Sequence, residues 1–361
     1  MDEFELNIYD SSDDEEDSSY EYKTDKEESL PWIEKYRPDN LNELVSHKEI
    51  IKSLRLFIKN KSMPHMLFYG PPGTGKTSTI LACAKELYGH NFSFMVMELN
   101  ASDDRGIEVV RNKIKQFVTS DNSFCRMNDG NNDTDTFKLV ILDETDAMTD
   151  DAQSILRQVV EKCTKNARFC LICNYIKKIN PSLQSRCISF RFTPLDKKSM
   201  NKRIKYIIKK ENINIDKNGI ETIINRSNGD MRRVLNTLQS ISMIYDKIDS
   251  NCIDECFGYP KQEDMCKIMT TLLKDNIKTG YDIISNICKI NGTSLTDIIV
   301  EINKIIMDAI IDEKYYISEL EEIDIFKLGQ ILDTIRLLEV NQANNANESI
   351  QISSLISIFK L

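Results

Sequence analysis

Long apolar runs are missing from this chain of 361 residues. None approaches the roughly 18 consecutive apolar residues a membrane helix requires, and no basic-then-apolar opening has the form of a signal peptide. These absences argue against membrane-embedded and secreted proteins. Glycine and proline are sparse, at 12 and 8 residues, which excludes fibrous and linker-dominated chains. Histidine is scarcer. His47, His65 and His90 form no spacing with Ser or Cys that suggests a nucleophilic triad. Metal-ligand sets are also lacking. Cys170-x-x-Cys173 has no second pair at ligand spacing, and Cys252 and Cys256 at i, i+4 suit helix packing. The ten cysteines are scattered through apolar stretches, as in a reducing compartment.

What is present is ordinary for a globular protein, with 41% hydrophobic and 29% charged residues. The length predicts two or three domains. The net charge of −10 is unevenly spread. Residues 1–30 hold thirteen Asp/Glu against two Lys, leaving 45 basic and 44 acidic residues in the rest. The body is therefore nearly neutral, with room for a basic face toward nucleic acid.

Residues 1–29, with DSSDDEED at 10–17, read as an acidic disordered tail, since they cannot bury enough apolar surface to fold. From 30 to 195, short β-type runs alternate with helical patterns, which predicts an α/β fold with a mostly parallel sheet. The expected strands are His65–Tyr69, Phe94–Leu99, Lys138–Leu142, Phe169–Cys173 and Ile188–Phe192, with a polar loop over Asp121–Thr136. Residues 196–258 read as an all-helical lid and 259–361 as an all-helical collar. The clearest helix carries Leu295, Ile298, Ile299, Ile302, Ile305, Ile306, Ala309 and Ile310 on one stripe. That stripe is expected to serve as core or as an oligomer seam against other subunits.

Gly70-Pro71-Pro72-Gly73-Thr74-Gly75-Lys76-Thr77 fits G-x-x-x-x-G-K-[ST] between an apolar strand and a helical pattern. Glycines let backbone N–H groups wrap a phosphate, and the helix start adds positive dipole. Lys76 would neutralise β/γ-phosphates and the Thr77 hydroxyl would ligate Mg²⁺. The run Leu139–Leu142 then delivers Asp143 and Glu144. Asp143 would join the Mg²⁺ shell and Glu144 would polarise the attacking water. Asn174 ends a further strand, either orienting that water or capping the strand.

These residues reach a known family. The chain resembles the small subunits of replication factor C, the clamp loader of the AAA+ ATPases. The likeness rests on Pro31-Trp32-Ile33-Glu34-Lys35-Tyr36-Arg37-Pro38, the phosphate loop, Leu99-Asn100-Ala101-Ser102-Asp103-Asp104-Arg105-Gly106, Asp143-Glu144-Thr145-Asp146-Ala147-Met148, Ser185-Arg186-Cys187 and Gly229-Asp230-Met231-Arg232-Arg233. The resemblance implies a P-loop AAA+ core, a lid, and a collar that joins other subunits, ATP and Mg²⁺ as cofactors, and loading of a ring-shaped sliding clamp onto primer–template DNA. It implies that Tyr36, Arg37 and Pro38 sit against adenine and ribose. Asn174 would be sensor 1, Arg232 sensor 2, and Arg186 an arginine finger for a neighbouring subunit's ATP. Arg105, Arg111 and Lys115 are the candidate DNA-backbone contacts, and Gln116, Phe117 and Phe124 lie where the clamp would touch. The partners implied are a hetero-oligomer of five subunits, the clamp and DNA, with no membrane.

Departures are visible. Thr145 replaces the usual Ala, and Ser46-His47 stands where Gly-Gln is common. Competing readings are a structural ATP-binding subunit, a homohexameric branch-migration or remodelling ATPase, and a D-E-x-D helicase. Residues 197–361 hold no second motor for the helicase, and the S-R-C and E-K-Y-R-P boxes disfavour the remodeller. Abundant Ile, Asn and Lys suggest an AT-rich genome such as that of a large DNA virus. The compartment is the nucleus for a cellular chain and host cytoplasm for a viral one.

Overall fold

The structure, a computed structural model, describes residues 30–44, 46–60, 62–102, 107–120, 137–256, 258–311, 320, 323–343 and 347–360. The expected acidic tail, the Asp121–Thr136 loop, Arg105 and Phe124 lie outside them. Two compact units result, Met1–Asp246 and Lys247–Leu361.

In the first unit, five strands form one sheet: β1 (Met66–Tyr69), β2 (Val96–Asn100), β3 (Lys138–Asp143), β4 (Ala167–Cys173) and β5 (Ile188–Arg191). Their order is β2-β3-β4-β1-β5, and every pair is parallel. The central strands are near-continuous apolar runs because parallel sheets are covered on both faces. Leu139 to Leu142 and Met66 to Phe68 are fully enclosed. One face is packed by Leu54 of α1 (Lys48–Lys59) and Ile80 to Ala84 of α2 (Lys76–Tyr88). The other is packed by Ile114 and Val118 of α3 (Ile107–Thr119) and by Leu156, Val159 and Val160 of α4 (Asp150–Cys163). The result is a three-layer α/β/α core. All five expected strands are present with shifted ends. Phe94 is a difference: it belongs to a helical turn, Phe92–Met95, with its ring 70% exposed.

Three helices follow: α5 (Lys197–Lys210), α6 (Lys217–Ser227) and α7 (Met231–Ile244). Each begins at an aspartate whose carboxylate accepts from the first turn's N–H groups: Asp196, Asp216 and Asp230. Such caps contribute about 0.5–2 kcal/mol each.

The second unit holds α8 (Ser250–Cys256), α9 (Gln262–Lys274), α10 (Ile277–Asn291), α11 (Leu295–Ile311), α12 (Ile325–Ala343) and α13 (Glu348–Ile358). By compactness α8 groups with these helices, the unit starting at Lys247. Here the expected seam is corrected. Leu295, Ile298, Ile299, Ile302, Ile306 and Ala309 are buried in this unit's own core, against residues such as Met269, Ile335 and Leu355. A helix with so wide an apolar stripe finds its cover within the chain. Among the described residues, no helix is long and apolar enough to cross a membrane.

Candidate nucleotide site

The phosphate loop joins β1 to α2, so the start of α2 points its free N–H groups into the loop. Two glycines there are required by geometry. Gly70 has φ +147°, and a Cβ would lie 2.0 Å from the Phe192 carbonyl oxygen. Gly73 has φ +67°, and a Cβ would lie 1.6 Å from Asp230 Oδ1. Nothing lies within 4 Å of a Cβ added to Gly75, whose φ of +89° still favours glycine.

Lys76 is 8% exposed. Its Nζ donates to the Gly70 carbonyl at 2.8 Å, the Pro71 carbonyl at 2.9 Å and Asn174 Oδ1 at 3.0 Å. Burial lowers its pKa, opposed by the nearby Asp143 carboxylate. Thr77 Oγ1 donates to Asp143 Oδ2 at 2.6 Å. Thus the loop, the end of β3 and the residue after β4 are tied together. The parallel register makes this necessary, because β3 and β4 are adjacent and run the same way. Pro71 supplies that carbonyl, and Pro72 and Thr74 line the same cleft. The Thr74 hydroxyl donates back to the Pro71 carbonyl at 2.9 Å.

Glu144 has φ +52°, a left-handed conformation that costs a side-chain-bearing residue energy. Two contacts hold it: its N–H donates to Asp143 Oδ1 at 2.8 Å, and its carbonyl accepts from Ala147 at 2.8 Å. The carboxylate is thereby exposed in the cleft. Thr145 is fully buried and donates to the Leu142 carbonyl at 3.0 Å, so its hydroxyl is tolerated where Ala is common.

The lid helices close the cleft from the other side. Asp230 Oδ1 accepts from Arg232 N at 2.8 Å and Arg233 N at 3.1 Å, while Met231 N donates to the Gly73 carbonyl at 3.1 Å. Arg232 therefore lines the cleft, exposed, beside the phosphate loop.

At the far end stand Tyr36, Arg37, Pro38 and His47. The Tyr36 hydroxyl donates to Glu211, which also pairs with Lys35 at 2.7 Å. Arg203 donates to the Tyr36 carbonyl at 2.8 Å, and Arg37 pairs with Glu34 at 3.3 Å. Trp32 N donates to Gln239 Oε1 at 3.1 Å. Arg203, Glu211 and Gln239 were not legible as site residues; on or just past the end of amphipathic helices they look like solvated surface. His47 has φ +60° and its ring meets Phe192 edge-on at 4.8 Å. Burial lowers its pKa, opposed by the Thr74 backbone and Asp196. Its buried Nε2 has no hydrogen-bond partner among the described residues.

Arg186 is not part of this cleft. It is exposed after the short helix Pro181–Gln184, paired with Glu161 and donating to the Ser182 carbonyl at 2.8 Å. Arg111 and Lys115 lie on α3. Lys115 is half-buried near Cys163, whose thiol burial pushes up and Lys115 pulls down. Gln116 is exposed there, whereas Phe117 packs into the core with Lys138 Nζ over its ring at 5.0 Å. Cys170 and Cys173 are enclosed in β4, where burial raises both thiols, Cys173 to about 12.

Residues 66–195 match the ATPase family associated with various cellular activities (AAA). Residues 202–243 match the RCF1/5-like, AAA+ ATPase lid domain. Replication factor C subunit 3 of Schizosaccharomyces pombe is 44% identical over 336 residues, covering 92% of this chain and 92% of that protein. Replication factor C subunit 5 of Homo sapiens is 43% identical, again with 92% of each covered. Subunit 3 of Saccharomyces cerevisiae is 42% identical, covering 92% and 94%. A solved Thermotoga maritima RuvB Holliday junction branch migration motor matches 72% of this chain and 88% of its own, at 16% identity and TM-score 0.49.

Proposed function

The chain belongs to the replication factor C subunit family, and from that premise we propose that it is an ATPase subunit that helps place a sliding clamp on primer–template DNA. The observation that carries this is the convergence of Lys76, Thr77, Asp143 and Asn174 through hydrogen bonds of 2.6–3.0 Å, with Glu144 and Arg232 lining the same cleft.

The Thr77 hydroxyl and the Asp143 carboxylate present adjacent hard oxygens, a donor set that fits Mg²⁺. When bound there, Mg²⁺ would neutralise charge on the β/γ-phosphates. Gly73 to Thr77 wrap the phosphates with backbone N–H groups, and Lys76 places a buried positive charge at the loop's centre. Glu144 accepts the proton of the attacking water, which the Asn174 amide orients. Arg232 brings the lid's positive charge to the γ-phosphate. Tyr36, Arg37, Pro38 and His47 form the adenine and ribose end.

Arg186, exposed and outside its own cleft, suits a finger for a neighbour's ATP. Such an arginine accelerates hydrolysis by about 10³–10⁵. Supply in trans makes turnover depend on assembly, which we place at five subunits. Residues 30–195 would be the motor, 196–258 the lid and 259–361 the collar. Arg105, Arg111 and Lys115 would follow the DNA backbone, giving affinity without sequence choice. The eukaryotic relatives support action in the nucleus; host cytoplasm has only composition behind it.

The test is the complex that copurifies with this chain. Native mass spectrometry should find related, distinct subunits that capture a ring clamp when ATP is present. A homohexamer without a clamp would overturn the assignment and leave a remodelling ATPase.

A further inference from the structure

Helix α5 presents two opposite faces. Met200, Ile204 and Ile207 are buried at 1% exposure or less. The other side carries Lys202, Lys205 and Lys209, all exposed, at i, i+3 and i+7. Among the described residues, none of these three has an ion-pair partner; the ion pair on this helix is Arg203 with Glu43 at 3.7 Å. Three like charges on neighbouring turns repel each other, so the stripe favours a polyanionic occupant.

The chain itself supplies one. Residues 1–30 hold thirteen acids and two lysines, six of the acids within 10–17. Their attachment is fixed beside this helix. Leu30 is exposed, Lys35 pairs with Glu211 just past the end of α5, and the Tyr36 and Tyr206 rings meet at 6.5 Å. Lys210 Nζ also sits 6.0 Å from the Tyr206 ring. A flexible spacer of the length of 18–29 would reach about 20 Å. The stripe is about 10 Å long at 1.5 Å per residue, shorter than an extended 10–17 run of about 26 Å. Tethering at this length corresponds to an effective concentration on the order of millimolar.

We propose that the acidic segment 10–17 docks on the Lys202, Lys205 and Lys209 face of α5, clasping the lid through charge. The lid helix lines the nucleotide cleft with Ser199 and Arg203 on its other edge. Docking therefore couples the tail to the part of the lid that meets nucleotide, and keeps other polyanions off it.

The test applies a carbodiimide, which links carboxylates only to amines in contact, to the full chain in its purified complex. Peptide mass spectrometry should find amide links from acids in 10–17 to these three lysines. Their yield should fall severalfold between about 0.05 M and about 0.5 M salt, as the Debye length shortens. Lys202→Glu with Lys205→Glu and Lys209→Glu should remove them while the thermal midpoint, read as a folding control, stays put. Links spread evenly over lysines elsewhere would overturn the docking. So would links to another subunit instead of α5. A short DNA duplex that protects the three lysines from acetylation equally with and without residues 1–29 would assign the stripe to nucleic acid instead.

Discussion

At one end of the cleft, Lys76, Thr77, Asp143 and Asn174 hang from strand ends and the first turn of one helix. Their hydrogen bonds run from 2.6 to 3.0 Å. At the other end, Tyr36, Arg37 and His47 hang from irregular backbone held by side chains of the lid: Arg203, Glu211 and Gln239. The first end inherits its geometry from a parallel sheet, whose register leaves its groups little freedom. The second depends on separate elements staying docked. Lid movement would remodel this end most; at the phosphate end it would shift Asp230, Met231 and Arg232 while the Lys76, Thr77, Asp143 and Asn174 network stays in place.

Substitutions put that contrast to the test. The largest effect is expected from Glu144→Gln. Loss of the general base should lower turnover at this chain's own site by about 10²–10⁴, with nucleotide binding retained in a filter or fluorescence assay. Unchanged turnover and clamp loading would make this a structural subunit. Gly73→Ala should come next. It forces a Cβ onto Asp230 at a left-handed position, pushing the lid off the loop at a cost of about 1–3 kcal/mol. A lower thermal midpoint should accompany weaker nucleotide affinity.

Glu211→Ala removes partners of Lys35 and Tyr36 at once. A loss of about 1 kcal/mol is expected by denaturant titration, with adenine affinity falling more than inorganic phosphate affinity. Equal losses at both ends would erase the contrast. A smaller effect depends on pH. Burial makes folded His47 harder to protonate than its ordinary value of 6.5, so the unfolded chain takes up the proton first. Stability is therefore complete above about pH 6.5 and falls below it. His47→Gln should flatten that fall; His65, pushed down to about 4 by burial and Arg168, keeps part of the slope, and Asp196 and Glu211, whose carboxyls are held below their ordinary values, add to it in more acid solution. Thr145→Ala should do least. It removes one hydrogen bond to the Leu142 carbonyl, costing about 1 kcal/mol and leaving turnover unchanged.

Much of the phosphate end was legible in the sequence. A Gly-rich loop between an apolar run and a helical pattern has few other uses, and an apolar strand ending in Asp-Glu leaves its acids at the sheet's edge. The helical character of the stretch after residue 195 was legible too; that Asp196, Asp216 and Asp230 each start a helix came from the structure. Phe94 was misplaced because its apolar neighbours suit a strand, while the chain keeps one more helical turn and turns the ring to solvent. The stripe from Leu295 reads equally as core or as seam; only its packing against α9, α12 and α13 shows it to be core.

Which segments form strands and helices, and where a phosphate would be wrapped, follow from local spacing and backbone freedom, so both could be read along the chain. Only the tertiary structure decided that Glu211 holds Tyr36, that Gly73 must make room for Asp230, and that Arg186 faces away from its own cleft. These are contacts between residues far apart in the chain. No local pattern encodes them, because they arise when buried faces choose their partners.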